Sequence, residues 1–268
     1  MGLPIYMVKI GGSMITDTSK ESVAKRAQID RLLGEIVEAR AGGEFGLILG
    51  HGAGSFGHVA AKKYRISEGI VDDQSMKGFA ITHMAMRELN RVVVDSAIRM
   101  GLDPCPFEAL SFGYAKGGRI AQGNIESIRE AIDRGFMPIV HGDGVLDSER
   151  GVAIASTEEV FRFIASGIKP KKIILGTDMD GVFDSDPRLN SNARLLERID
   201  SGNINTALEG AGGAMKVDVT GGMKTKLGML HSMVKQTGAE GYIANAGTPG
   251  TIRDLLLSKD VRCTRVIA

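Results

Sequence analysis

Short apolar runs recur along the chain, each cut off by a glycine turn and most followed by a longer amphipathic stretch. "IYMVKI" (5–10) runs into "GGS", and "FGLILG" (45–50) runs into "HGAGSFGH". "MPIVHGD" (137–143), "KKIILGTD" (171–178) and "GYIANAG" (241–247) follow the same plan, and "CTRVIA" closes the chain as a last strand. Between them, residues 22–41 carry Ala24, Ile29, Leu32, Leu33, Ile36 and Val37 at helical spacing. A long helix is expected from about Met76 to Met100, and the polar stretch 65–75 reads as a loop. Strands that are apolar throughout and separated by helices must be covered on both faces. The predicted fold is therefore α/β, a three-layer αβα sandwich with a mostly parallel central sheet. "GIKPKK" (167–172) is the best boundary inside this single domain, giving lobes of about 1–168 and 169–268.

In such sheets ligands sit outside the carboxyl ends of the strands. The glycine clusters fall there: "GGS", "GAGSFG", Gly142-Asp143, "GTD" at 176–178 and "NAG" at 245–247. Composition narrows the partners. With 33 basic and 32 acidic residues the net charge is +1, which gives no reason to expect a nucleic-acid or membrane surface. No apolar segment is long enough to span a bilayer. The start "MGLPIYMVKIGGS" reads as a first strand rather than a signal peptide, and it lacks the Ser or Thr of a myristoylation signal. Cys105 and Cys263 form no CxxC, so reduced thiols in a cytosolic protein are expected.

"HGAGSFGH" (51–58) matches two nucleotide fingerprints and satisfies neither. A dinucleotide site needs an acidic residue ending the next strand, and "DDQSMK" is no strand end. A P-loop needs a lysine where His58 stands. What both fingerprints share remains: glycines that open backbone N–H groups toward an anion, ahead of a helix N-terminus. "KIGGS" (9–13) is a second such turn, with Lys9 one residue inside the strand. "DVTGGMKTK" (218–226) is a third, putting Thr220, Gly221 and Gly222 at a helix start and Lys226 one turn in. Taken singly, Lys9 also reads as a strand-end lysine and Lys226 as a surface lysine. Together, glycine turns each accompanied by a lysine suit phosphoryl transfer, which is mostly positioning and charge neutralisation. "ILGTDMDGVF" and "GDGVLD" match the two acidic motifs of haloacid-dehalogenase phosphatases, but in reversed order. A calcium loop fails for want of its glycine. His83, His141 and His231 are isolated in sequence, and no metal-ligand spacing occurs among the histidines.

"KIGGS", "HGAGSFGH", "GTDMDGVF" and "DVTGGMKTK", in this order and spacing, resemble the amino acid kinase superfamily, and within it the isopentenyl phosphate kinases. The resemblance covers almost the whole chain. It implies an ATP-dependent kinase, with Mg²⁺ on the nucleotide, that phosphorylates isopentenyl phosphate to the diphosphate. It implies a homodimer, an acceptor lobe (1–168) and a nucleotide lobe (169–268). By the same resemblance Lys9, His58 and Lys226 are the catalytic candidates. Gly11, Gly12, Ser13, Thr177, Asp178, Asp180, Gly181 and Gly222 join the two lysines as candidates for ATP binding. Ala53, Gly54, Ser55, Gly57 and His58 receive the acceptor phosphate, with Gly142, Asp143, Ser156 and Thr157 beside it. The acceptor's apolar tail needs a dry pocket, and Phe79, His83 and Met86 share one helix face. That stripe reads equally as plain core.

The chain departs from the family pattern at three places. Thr18 stands where a lysine is usual, with Lys20 two positions on; Ser156-Thr157-Glu158 replaces Ser-Gly-Asp; and Cys263 replaces a glycine. Ser156 and Thr157 could instead cap a helix starting near Glu158. Fosfomycin-phosphorylating kinases keep the Gly-Phe-Gly-His element and are the alternative within this fold. A non-catalytic nucleotide-binding or storage protein is the other, but such a protein has little reason to keep both lysines.

Overall fold

The computed structural model describes residues 2–211 and 222–268. Among them the strands are β1 (Ile5–Ile10), β2 (Gly46–His51), β3 (Pro104–Phe107), β4 (Gly113–Lys116), β5 (Arg119–Gly123) and β6 (Met137–His141). They continue as β7 (Asp143–Asp147), β8 (Gly151–Ala155), β9 (Lys172–Thr177), β10 (Arg198–Ile199), β11 (Glu240–Asn245) and β12 (Cys263–Val266). The helices are α1 (Gly12–Ile15), α2 (Arg26–Gly42), α3 (Gly54–Lys63), α4 (Ser75–Arg99) and α5 (Ala109–Phe112). After them come α6 (Glu126–Asp133), α7 (Thr157–Ile168), α8 (Ile204–Gly210), α9 (Gly222–Thr237) and α10 (Thr251–Leu256).

The main sheet has eight strands in the order β10-β12-β11-β9-β1-β2-β6-β3. Every pairing in it is parallel except β11 with β12. The pleat sends alternate residues to opposite faces. Met7, Ile48, Ile173 and Leu175 enter one core with Ile128, Val160 and Leu227 from α6, α7 and α9. Val8, Leu47, Leu49 and Ile174 enter the other with Leu32, Leu89 and Ile252 from α2, α4 and α10. Two cores on two faces are the αβα sandwich that uninterrupted apolar strands require. Strands from both sides of residue 168 share this sheet, meeting where β1 pairs with β9. Cys105 lies on edge strand β3 and Cys263 on β12 near the opposite edge, both as free thiols.

Two expectations change. The apolar run at 137–143 does not stop at a Gly-Asp turn: β6 ends at His141 and the chain re-enters a strand at Asp143. That strand, β7, belongs to a second sheet of order β5-β4-β7-β8, which sequence reading missed. Its strands are only four or five residues long and partly exposed, and β4, β5 and β7 break their apolar residues with polar ones, so only β8, GVAIA, carries a short apolar run. The local signal was Gly117-Gly118, both at positive φ, closing the β4–β5 hairpin. Asp147 ties this hairpin to the next, its carboxylate accepting from the N–H groups of Gly117, Gly118, Glu149 and Arg150.

Candidate active site

Because β1, β2, β6, β9 and β11 run parallel, their carboxyl ends open on one edge of the sheet. The turns after β1 and β2 meet there backbone to backbone. Gly11 N–H donates to Gly176 O at 2.8 Å, and Gly52 N–H donates to Ile10 O at 2.9 Å. A Cβ on Gly52 would lie 2.6 Å from Gly12 N, and one on Gly12 would collide with the backbone of Gly54. Gly54 itself has φ +51°, a conformation L side chains avoid. Thr16 locks the two turns together: its hydroxyl donates to Gly12 O at 2.9 Å and accepts from Ser55 N–H at 3.0 Å. Among the described residues, the Ser55 hydroxyl is buried and has no hydrogen-bond partner. α3 begins at Gly54, so the positive end of its dipole lies at this junction, with Gly57 and His58 in its first turns.

Lys9 sits on β1 with 6% of its surface exposed. Its Nζ lies 2.9 Å from Glu158 Oε1, in the first turn of α7. Burial pushes the Glu158 carboxyl up, but the charge and hydrogen bond of Lys9 and the charge of Lys226 outweigh it, so it stays ionised below the usual glutamate range. One carboxylate thus feels both candidate lysines, Lys9 from the sheet and Lys226 from α9. Sequence reading left Glu158 off the site. "STEE" opening a helix reads as a cap with acidic first-turn residues, which need no further role. The cap is real as well: the Ser156 hydroxyl accepts from Glu159 N–H at 3.1 Å. Ser156 is exposed and Thr157 buried. The Thr157 hydroxyl bridges two strand ends, donating to His51 O at 2.7 Å and accepting from Gly142 N–H at 2.9 Å.

The face of α4 carrying Phe79, His83 and Met86 borders the same edge. Phe79 lies against Gly144, Met86 is buried against Gly57, and His83 lies between them on the helix. His83 Nδ1 is 2.7 Å from Asp143 Oδ2. The Asp143 side chain is fully buried, and its other oxygen accepts from Gly144 N–H at 2.7 Å. Burial raises the Asp143 carboxyl above the usual aspartate range, against the opposing charges of His141 and His83. His51 and His141 stack at the ends of β2 and β6, 5.3 Å between centroids, and Asn90 of α4 bonds His51 Nε2 at 3.1 Å. Asn90, His51, His141 and Glu108, whose Oε2 lies 3.8 Å from His83 Nε2, were not candidates from sequence. Nothing local marks them, since strand register and helix packing bring them together.

On the same edge, across β1 from β2, Thr177 ends β9 and turns the chain, its hydroxyl accepting from Met179 N–H at 3.1 Å. Asp178 is exposed. Asp180 accepts from Asn245 Nδ2 at 3.1 Å and from Arg262 Nε at 2.9 Å, and Gly181 packs against Thr264. Gly222 opens α9, which carries Lys226; Thr220 and Gly221 lie outside the described residues. Ser13 and Lys20 are exposed, and Lys20 stands 4.0 Å from Asp17. Among the described residues no group of three or more His, Cys, Asp or Glu side chains could hold a metal, and no helix is long and apolar enough to cross a membrane.

A parallel sheet with paired glycine turns and converging lysines defines a phosphotransferase fold. The model of the amino acid kinase family matches residues 4–245, and the chain belongs to that family. Within it the chain groups with the isopentenyl phosphate kinases. It is 36% identical to the isopentenyl phosphate kinase of Methanothermobacter thermautotrophicus over 98% of each chain. It is 31% identical to that of Methanocaldococcus jannaschii, over 95% of this chain and 96% of the other. A solved structure of isopentenyl phosphate kinase superposes with a TM-score of 0.82 at 31% identity, covering 98% of this chain and 99% of that one. UMP kinase from Ureaplasma parvum shares the fold at a TM-score of 0.65 and 18% identity, over the full length of both chains.

Proposed function

We propose that this chain transfers the γ-phosphoryl group of ATP to isopentenyl phosphate, giving isopentenyl diphosphate and ADP. The observation that carries the reading is the contact of Gly12 with Gly52 and Gly54 beside Lys9. It puts two anion-binding turns against one another with a buried cation between the sheet and α7. In this reading Gly11, Gly12 and Ser13 face the nucleotide phosphates, and Thr177, Asp178, Asp180, Gly181 and Gly222 belong to the nucleotide side. Residues 53–58 receive the acceptor phosphate at the N-terminus of α3. An oxygen of that phosphate attacks the γ-phosphorus, and the bond to the β-γ bridging oxygen breaks. The nucleophile is already an anion, so no strong general base is required. The obstacle is repulsion between two polyanions, which Lys9 and Lys226 offset. Glu158 holds Lys9 in place through their 2.9 Å ion pair. Mg²⁺ would arrive on the nucleotide, whose phosphates supply most of its oxygen ligands. His58 donates a hydrogen bond to the acceptor phosphate.

The reading includes a cytoplasmic homodimer. The exposed Met76, Ile81 and Met84 of α4 offer apolar surface for a second copy. Sedimentation gives the oligomeric state directly. The decisive test is ADP release coupled to acceptor, comparing isopentenyl phosphate, fosfomycin and amino acids. Turnover with isopentenyl phosphate is expected, and its absence rejects the reading. His58→Ala should lower kcat/KM by about a hundredfold, in the range for one donor to developing charge.

A further inference from the structure

One face of α4 crosses the acceptor side of the site in steps. Phe79 meets Gly144 at the start of β7, Met86 meets Gly57 beside His58, and Asn90 reaches His51. His83 lies about one helical turn, roughly 5 Å, from Met86 along the helix. A short carbon tail extending from a phosphate held at residues 53–58 reaches that far. What it meets there is not apolar. With the pair's proton on the ring, Asp143 Oδ2 accepts from His83 Nδ1–H at 2.7 Å. Nε2 is the nitrogen left over. Its nearest carboxylate is Glu108 Oε2 at 3.8 Å, beyond hydrogen-bond reach, and the other Glu108 oxygen pairs with Arg87 Nε at 3.0 Å. The His83 side chain is 16% exposed while that of Asp143 is fully buried, so the accessible part of the pair belongs to His83. A second polar atom lies unused nearby. His141 Nε2 is buried with no partner among the described residues, and His141 is close enough for its charge to act on Asp143.

An apolar tail laid over His83 would strip water from Nε2 and return nothing. That penalty is equivalent to roughly tenfold or more in affinity. A hydroxyl at that point on the tail restores the bond. A carboxylate or second phosphate there would face Asp143 and Glu108. We propose that this end of the crevice reads a hydroxyl on the acceptor. The chain accepts monophosphates of short hydroxylated alcohols, with Nε2 of His83, oriented by Asp143, as the group that meets the hydroxyl. The proposal rests on the acceptor reading above and adds to it the class of tail.

The test compares isopentenyl phosphate with hydroxy-methylbutyl phosphate, the same carbon skeleton bearing a tertiary hydroxyl in place of the double bond. A dry pocket disfavours an added hydroxyl by about a hundredfold in kcat/KM, whereas a polar end holds the two acceptors within about tenfold. His83→Leu should move them in opposite directions, lowering the hydroxylated acceptor by at least about tenfold and raising isopentenyl phosphate. His83→Gln, which keeps a hydrogen-bonding tip, should retain the wild-type ratio and so separates lost recognition from lost folding. A hydroxylated acceptor disfavoured by the dry-pocket factor overturns the proposal, and so does a His83→Leu variant in which both acceptors fall together. Turnover of isopentenyl phosphate alone leaves the kinase reading standing and rejects the hydroxyl. Turnover of the hydroxylated acceptor alone supports the hydroxyl and rejects isopentenyl phosphate as the acceptor, and silence with both rejects both.

Discussion

Lys9 and Glu158 form an ion pair of 2.9 Å, joining the middle of the sheet to the first turn of α7, with both side chains about nine-tenths out of water. Such a pair is weak evidence for stability, because desolvation offsets much of the attraction, but breaking one side strands a buried charge. Glu158→Gln should destabilise the fold by about 3 kcal/mol in urea titration. It should also lower kcat sharply, since Lys9 loses the anion that holds it. The double variant Lys9→Met/Glu158→Leu should regain most of the stability and remain inactive. If the double variant is as unstable as the single one, the pair is not the cause.

Gly54 cannot gain a side chain cheaply. Its φ is +51°, and a Cβ there would run into the Thr16 side chain and lie 2.8 Å from Gly12 O. Left-handed backbone costs an L-residue about 1–2 kcal/mol, and forced repacking costs a similar amount again. Gly54→Ala should therefore lose about 2–4 kcal/mol of stability by urea titration. The surviving folded fraction should show a raised KM for acceptor, since the same atoms shape the turn.

Thr157 does with one hydroxyl what two strand ends need. Thr157→Val keeps the shape and removes the bridge between His51 O and Gly142 N–H. An unsatisfied group in this buried setting costs about 1–3 kcal/mol. Thermal unfolding of Thr157→Val should register that loss. Thr157→Gly also removes the methyl packed over Gly50, and so should lose more.

Acid should weaken the fold through His51. Burial first, then the charges of His141 and Lys9, push its pKa from 6.5 down to about 3, against the hydrogen bonds of Asn90 and Gly52. Between those values the unfolded chain binds a proton that the folded chain refuses. Stability therefore falls as pH drops below 6.5, with a slope of up to about 1.4 kcal/mol per unit for this proton. The raised carboxyl of Asp143 works the other way, taking up its proton at a higher pH in the folded chain than in the unfolded one. Urea titrations of wild type and His51→Asn across this range isolate the histidine. The variant should show the shallower dependence on pH.

The main strands of the sheet were legible in the sequence because each is a local pattern, an apolar run stopped by glycine. The turns at Gly11-Gly12 and Gly52-Gly54 were legible for the same reason, and with them the edge of the sheet where a ligand would sit. The second sheet was not, because its strands are short and most break their apolar residues with polar or exposed ones. Tertiary structure alone decided who faces whom at the site. Glu158 meets Lys9, Asp143 meets His83, and Thr157 spans β2 and β6, all between residues far apart in the chain. These pairs depend on parallel register and on how α4 and α7 pack against strand ends. Local periodicity carries no record of either, and the same residues read singly are a helix cap, a turn aspartate and an isolated histidine.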